Sequence, residues 1–152
     1  MYDDILIPTD GSEVAQNAID HAIDLAEKYD ATVHALYVVD VSAIDVSLGT
    51  EQVQRLKEGH FEEMDELKAR ATEATGAVVE RASDDLEVVE AVMAGQPHRA
   101  IRDYVEEEGI DAVVMGSSGR GGVRRALLGS VAERTVRSVK VPVMVVDVRE
   151  AD

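Results

Sequence analysis

Asp111-Ala112-Val113-Val114-Met115-Gly116-Ser117-Ser118-Gly119-Arg120-Gly121-Gly122-Val123-Arg124-Arg125-Ala126-Leu127-Leu128-Gly129-Ser130 is the stretch on which the fold turns. Its first five residues are an apolar run of strand length. Glycines then crowd the chain. Ser130-Val131-Ala132-Glu133 sets a serine three residues before a glutamate, the pattern of a capping box at a helix start. The segment reads as strand, glycine-rich loop, helix N-terminus. Glycine permits positive φ and lets backbone N–H groups approach a ligand closely. The first turn of a helix adds N–H groups and partial positive charge, which suit phosphate.

Charge sharpens that reading. Residues 116 to 140 carry six basic side chains (Arg120, Arg124, Arg125, Arg134, Arg137, Lys140) against Glu133 alone, whereas the other 127 residues carry nine basic and thirty acidic groups. One positive island therefore sits in a chain of net charge −16. Such a surface repels nucleic acid and anionic membranes over most of its area. With four Tyr, one Phe and no Trp, there is no aromatic platform on which single-stranded bases could stack. The acidic excess, with only four of fifteen basic residues being Lys, matches adaptation to high salt, where screening weakens self-repulsion, the alternative being simply an acidic cytosolic protein.

Working outward, Ile5-Leu6-Ile7-Pro8 is a short apolar strand followed by Thr9-Asp10-Gly11-Ser12. A strand buried on both faces of a parallel sheet reads this way. Ser12 can cap a helix to about Tyr29, with Val14, Ala18, Ala22, Leu25, Ala26 and Tyr29 on one face. Ala31 to Val39 is a second strand. Val41 to Thr50 is an apolar loop, and from Glu51 a step of three and four residues continues past Gly76 to about Ala82 as one long helix. Leu86 to Met93 is a third strand, with Ala94-Gly95-Gln96 as the loop after it. Pro97 opens the next helix and Gly109 stops it, with Ala100, Ile101, Tyr104 and Val105 toward the sheet. After the glycine loop, a helix from Ser130 to about Ser138 leads into a fifth strand, Val141 to Val148. Strands alternating with helices make an α/β doubly wound, open twisted parallel sheet, Rossmann-like, expected as one domain over residues 1–152.

Ligands of such sheets lie beyond the carboxyl ends of the strands. Here those ends carry Pro8-Thr9-Asp10-Gly11, Val38-Val39-Asp40, Gly95 and Met115-Gly116. Asp10 is placed to meet a ribose hydroxyl or a bound cation such as Mg2+. Its alternative role is to cap the first helix or form an Asx turn. A Walker A loop is excluded, because no lysine follows the glycines, and the dinucleotide fingerprint is absent after the first strand. Neither Ser117 nor Ser118 sits in a nucleophile elbow. His21, His34, His60 and His98 lack metal-ligand spacing, and no cysteine exists to build a thiolate site. No catalytic constellation emerges. The N-terminus lacks a basic region followed by an apolar core, and no apolar run approaches a membrane span, so the expected location is cytoplasmic.

Across essentially its whole length the chain resembles the universal stress protein family. The family's nucleotide motif is Gly, two residues, Gly, nine residues, Gly, then Ser or Thr; Gly116, Gly119, Gly129 and Ser130 meet it without a gap. Ile5 to Ser12 looks like the family's first strand and turn, and Gly129-Ser130-Val131-Ala132-Glu133-Arg134 before Val141-Pro142-Val143 looks like its ending. The resemblance implies a five-stranded sheet of order 3-2-1-4-5 with helices on both faces, of the adenine nucleotide alpha hydrolase-like kind, and ATP binding. Carried over by position, Val38 contacts adenine through its backbone and Asp10 the ribose region, with Pro8, Thr9 and Met115 beside them. Gly116, Gly119, Gly129 and Ser130 hold ribose and phosphates, assisted by the Val131 N–H. Arg120, Arg124 or Arg125 joins as a phosphate clamp on charge grounds alone. The resemblance further implies a homodimer through the fifth strand, Val143 to Val148. Slow ATP hydrolysis or self-phosphorylation, and a module for another nucleotide or anion, remain alternatives to plain binding.

Overall fold

The computed structural model describes residues 1–40, 65–117 and 129–147. Five strands, β1 (Asp4–Pro8), β2 (Thr32–Asp40), β3 (Val88–Gly95), β4 (Ala112–Gly116) and β5 (Val143–Val146), form one sheet in the order β3-β2-β1-β4-β5. Every pairing is parallel. Between them run α1 (Glu13–Tyr29), α2 (Asp65–Arg81), α3 (Pro97–Glu108) and α4 (Ser130–Ser138).

Alternation along the central strands divides the core in two. Ile5 and Ile7 of β1 and Val114 of β4 join Ala18, Ile19, Ala22, Ile23 and Ala26 of α1 and Val78 of α2 on one face. Leu6 and Val113 with Met115 turn to the other face, against Ile101, Tyr104 and Val105 of α3 and Ala132 of α4. Successive strand residues point to opposite faces, so one apolar run feeds two cores, and helices cover both. Full burial of a large aliphatic side chain stabilises by about 1.5–3 kcal/mol, and Ile5, Leu6 and Ile7 are each 0% exposed.

The apolar face of α1 is centred differently from the sequence reading. Ile19 and Ile23 lie in its core, Leu25 is half-buried and Tyr29 is exposed, while the Val14 side chain lies outside the described residues. The helix starts as expected: the Ser12 hydroxyl accepts from Ala15 N–H at 3.2 Å. In α2, Gly76 sits inside the helix, which runs on past it to Arg81. Its expected start near Glu51, like the Val41–Thr50 loop, falls outside the described residues. The α3 assignments hold: Pro97 is in the first turn, Ala100, Ile101, Tyr104 and Val105 are buried, and Gly109 closes the helix at φ 65.

Three local readings change. Strand β3 begins two residues later than expected and absorbs Ala94 and Gly95, because its ladder with β2 continues to Asp40 opposite Gly95. Strand β5 spans only Val143–Val146, with Val148 outside the described residues. Ser130 is the first residue of α4 and not its cap. Gly129 takes the cap position in an extended conformation, its carbonyl accepting from Glu133 N–H at 3.0 Å, and as a glycine it offers no side-chain cap bond.

Candidate functional site

From β1 the chain steps outward to β2 and β3 on one side, then crosses from β3 to β4 and β5 on the other, so the strand order reverses between β1 and β4. Pairing of β1 with β4 covers Ile5 with Ala112 and Leu6 with Val113 and stops there. Yet β1 runs on to Pro8 and β4 to Gly116. The two strand ends part at their carboxyl edge, which opens the crevice such sheets use for ligands.

One wall of the crevice is the turn after β1. Thr9 is buried and extends the ladder by donating its N–H to the Leu36 carbonyl at 2.9 Å. Asp10 Oδ1 accepts from Ser12 N–H at 2.9 Å, an Asx turn that sets up the Ser12 cap. Gly11 has φ 80, a conformation that side chains resist, which explains a glycine there. The turn role expected of Asp10 is thus observed.

Val38 lies where β2 outruns β1. Leu36 turns its carbonyl to Thr9, and residues two apart along a parallel strand direct their polar groups to the same neighbour. The N–H and C=O of Val38 therefore face the space beyond the end of β1. Its side chain packs on the second core, with Met93 as its β3 partner.

The opposite wall comes from β4 and α4. Gly116 ends β4 opposite Val146, and buried Met115 anchors it from below. Gly129 returns to the same place: its N–H donates to the Ser117 carbonyl at 2.7 Å. From there α4 begins, and its N-cap residue has no side chain to offer the first N–H groups, those of Ser130 and Val131 among them. Gly119, Arg120, Arg124 and Arg125 lie outside the described residues.

The sequence reading weighs Ser117 only as a nucleophile and gives Asp147 and Asn17 no role. Buried Ser117 donates its hydroxyl to Asp147 Oδ1 at 2.7 Å, and Asn17 Nδ2 of α1 donates to the Asp147 carbonyl at 2.8 Å. The available signal was position alone, since Asp147 closes β5 at the ligand edge as Asp40 closes β2. On the outer face, Arg99 and Arg102 of α3 join Arg134 of α4 around His98. Burial, followed by these three cations, lowers the His98 pKa from its ordinary 6.5. Positive charge around α4 is thus wider than the sequence island. Among the described residues no cluster of carboxylates and imidazoles is arranged to hold a metal, and no helix is long and apolar enough to cross a membrane.

A model of the Universal stress protein family matches residues 1–147. The universal stress protein MJ0531 of Methanocaldococcus jannaschii is 39% identical over 148 residues, covering 96% of this chain and 82% of its own. MJ0577 of the same organism is 34% identical over 154 residues, covering 96% and 95%. Its solved structure superposes with a TM-score of 0.74 across 99% of both chains, at 29% identity. A universal stress protein from Archaeoglobus fulgidus, solved in complex with dAMP, shares the fold at 20% identity, with a TM-score of 0.65 over 95% of this chain and 98% of its own.

Proposed function

The chain belongs to the universal stress protein family, and on that premise we propose that it binds ATP in the β1/β4 crevice as a regulatory protein. The observation that carries the reading is the start of α4 on a glycine, which has no side chain to cap it, at the strand-order switch. First-turn N–H groups without an internal acceptor, with partial positive charge behind them, suit a phosphate. A family member of this fold that is solved with dAMP supports an adenine nucleotide as the ligand.

Each residue's role follows from its backbone or its charge. Val38 offers one N–H and one C=O to the adenine edge, while Pro8, Thr9 and Asp10 line the ribose side. Met115 supports Gly116, which lets ribose and phosphate come close. Gly119 belongs to the same motif. Ser130 and Val131 direct N–H groups to the phosphates, and Arg120 with Arg124 or Arg125 adds charge. Because Gly129 N–H is already used by Ser117, Gly129 contributes room and the helix start. Mg2+ accompanies ATP as its usual counterion, neutralising the phosphates.

The protein acts as a homodimer joined along β5. That strand is an edge of the sheet with β4 as its neighbour, and Met144 on it and Val136 on α4 are 44% and 46% exposed. An unpaired apolar edge invites a second strand. Light scattering tests this: Met144→Lys should yield monomers, and a wild-type monomer would end the proposal. Calorimetric titration with ATP, AMP and GTP in molar salt tests the nucleotide. ATP binding well above GTP supports the reading; no binding by folded protein removes it. Mass analysis after incubation with ATP, showing neither ADP nor protein-bound phosphate, would separate binding from catalysis.

A further inference from the structure

We propose that Ser117 and Asp147 form a positioning pair for the crevice, an inference that rests on the nucleotide reading above. All three polar groups of Ser117 are used. Its N–H donates to the Val146 carbonyl at 2.9 Å, its C=O accepts from Gly129 N–H at 2.7 Å, and its hydroxyl donates to Asp147 Oδ1 at 2.7 Å. The residue is 5% exposed, so breaking any one of these bonds leaves a buried polar group unmet. One residue thus ties the exit of β4, the end of β5 and the entry to α4.

Asp147 is itself held from a fourth element. Asn17, in the second turn of α1, donates to its backbone carbonyl across 130 residues of sequence. The carboxylate is an acceptor only, so it fixes the direction of the Ser117 proton, and a hydroxyl–carboxylate bond of this length is charge-assisted. The pair therefore sets where the first turn of α4 stands relative to Gly116. A ligand gripped by Gly116 on one side and by Ser130 and Val131 N–H on the other senses any change in that spacing. Ser117 does not touch the ligand; it acts through Gly129 and α4.

The test is calorimetric titration with ATP of Ser117→Ala, Asp147→Ala and Asp147→Asn, with thermal melts confirming that each is folded. Ser117→Ala and Asp147→Ala should each weaken binding about tenfold, the order of one charged hydrogen bond, and the double variant no further. Asp147→Asn keeps an acceptor oxygen and should stay within about threefold of wild type, a rescue that a general loss of packing would not show. If Asp147→Ala fails to fold, Ser117→Ala decides alone. Wild-type affinity in both alanine variants overturns the inference and leaves the nucleotide reading standing. No binding by the unmutated chain overturns that reading and the inference with it. Phosphate recovered on Ser117 after incubation with ATP would make it a reacting group and overturn the positioning role.

Discussion

The two edges of this sheet treat polar groups in opposite ways. At the amino edge, side chains consume one another. Buried His34 of β2 bridges Asp4 of β1, with Nε2 to Oδ1 at 2.9 Å, and Tyr104 of α3, with Nδ1 to Oη at 2.8 Å. A carboxylate only accepts, so Nε2 carries hydrogen toward Asp4, while Nδ1 pairs with the Tyr104 hydroxyl. Beside them Asp111 Oδ2 accepts from the Asp3 and Asp4 N–H groups at 2.8 and 3.0 Å. At the carboxyl edge the turn after β1 closes on itself through Asp10 and Ser12, but α4 starts on a glycine that offers no cap. The amino edge joins its side chains to one another, whereas the carboxyl edge begins α4 on a residue that has no side chain to bond.

The strongest way to break that contrast is Gly129→Asp. Gly129 has φ −68 and ψ 159, which any residue adopts, so the change does not strain the backbone. An aspartate there caps α4 itself and repels phosphate. ATP affinity should fall about a hundredfold or more, ~2.7 kcal/mol, with the melting temperature kept or raised. Unchanged affinity in titration would place the nucleotide elsewhere.

His34→Leu attacks the other edge. It strips Asp4 and Tyr104 of their shared partner and should cost about 2 kcal/mol in urea unfolding. Nucleotide affinity should stay within about twofold, since the sites are independent. A large loss of binding would show that the edges are coupled. Ser12→Ala sharpens the contrast within the carboxyl edge. Losing the α1 cap should cost about 1 kcal/mol of stability and leave ATP binding nearly intact, unlike Gly129→Asp.

The smallest effect is alkaline. Burial first, then Glu108 and Asp4, raise the Tyr104 pKa above its ordinary 10.0. The unfolded chain loses the phenol proton first as pH climbs past that value. The stability that Tyr104 contributes is therefore full below about 10 and lost as pH rises toward the native value. Tyr104→Phe should flatten that decline in melting temperature; an unchanged slope would show that Tyr104 does not titrate between the two states.

The residues by themselves determined the alternation of strands and helices, the α1 cap at Ser12, the stop at Gly109 and the placing of glycines after β4. These are local: hydrophobic period, cap chemistry and φ tolerance act over a few residues. The glycine spacing also carried the family, which supplied the sheet order. Where local signals competed, reading went astray, as at Ser130, whose glutamate three residues on made it look like the cap that Gly129 became. Only the tertiary structure decided what His34 and Ser117 do. Their partners stand 70, 30 and 30 residues away and meet them through sheet register and helix packing, which no window of sequence contains. Parting of β1 from β4 beyond Leu6 and Val113 is of the same kind. The crevice exists because the chain reverses its order there, and that is a property of the whole sheet.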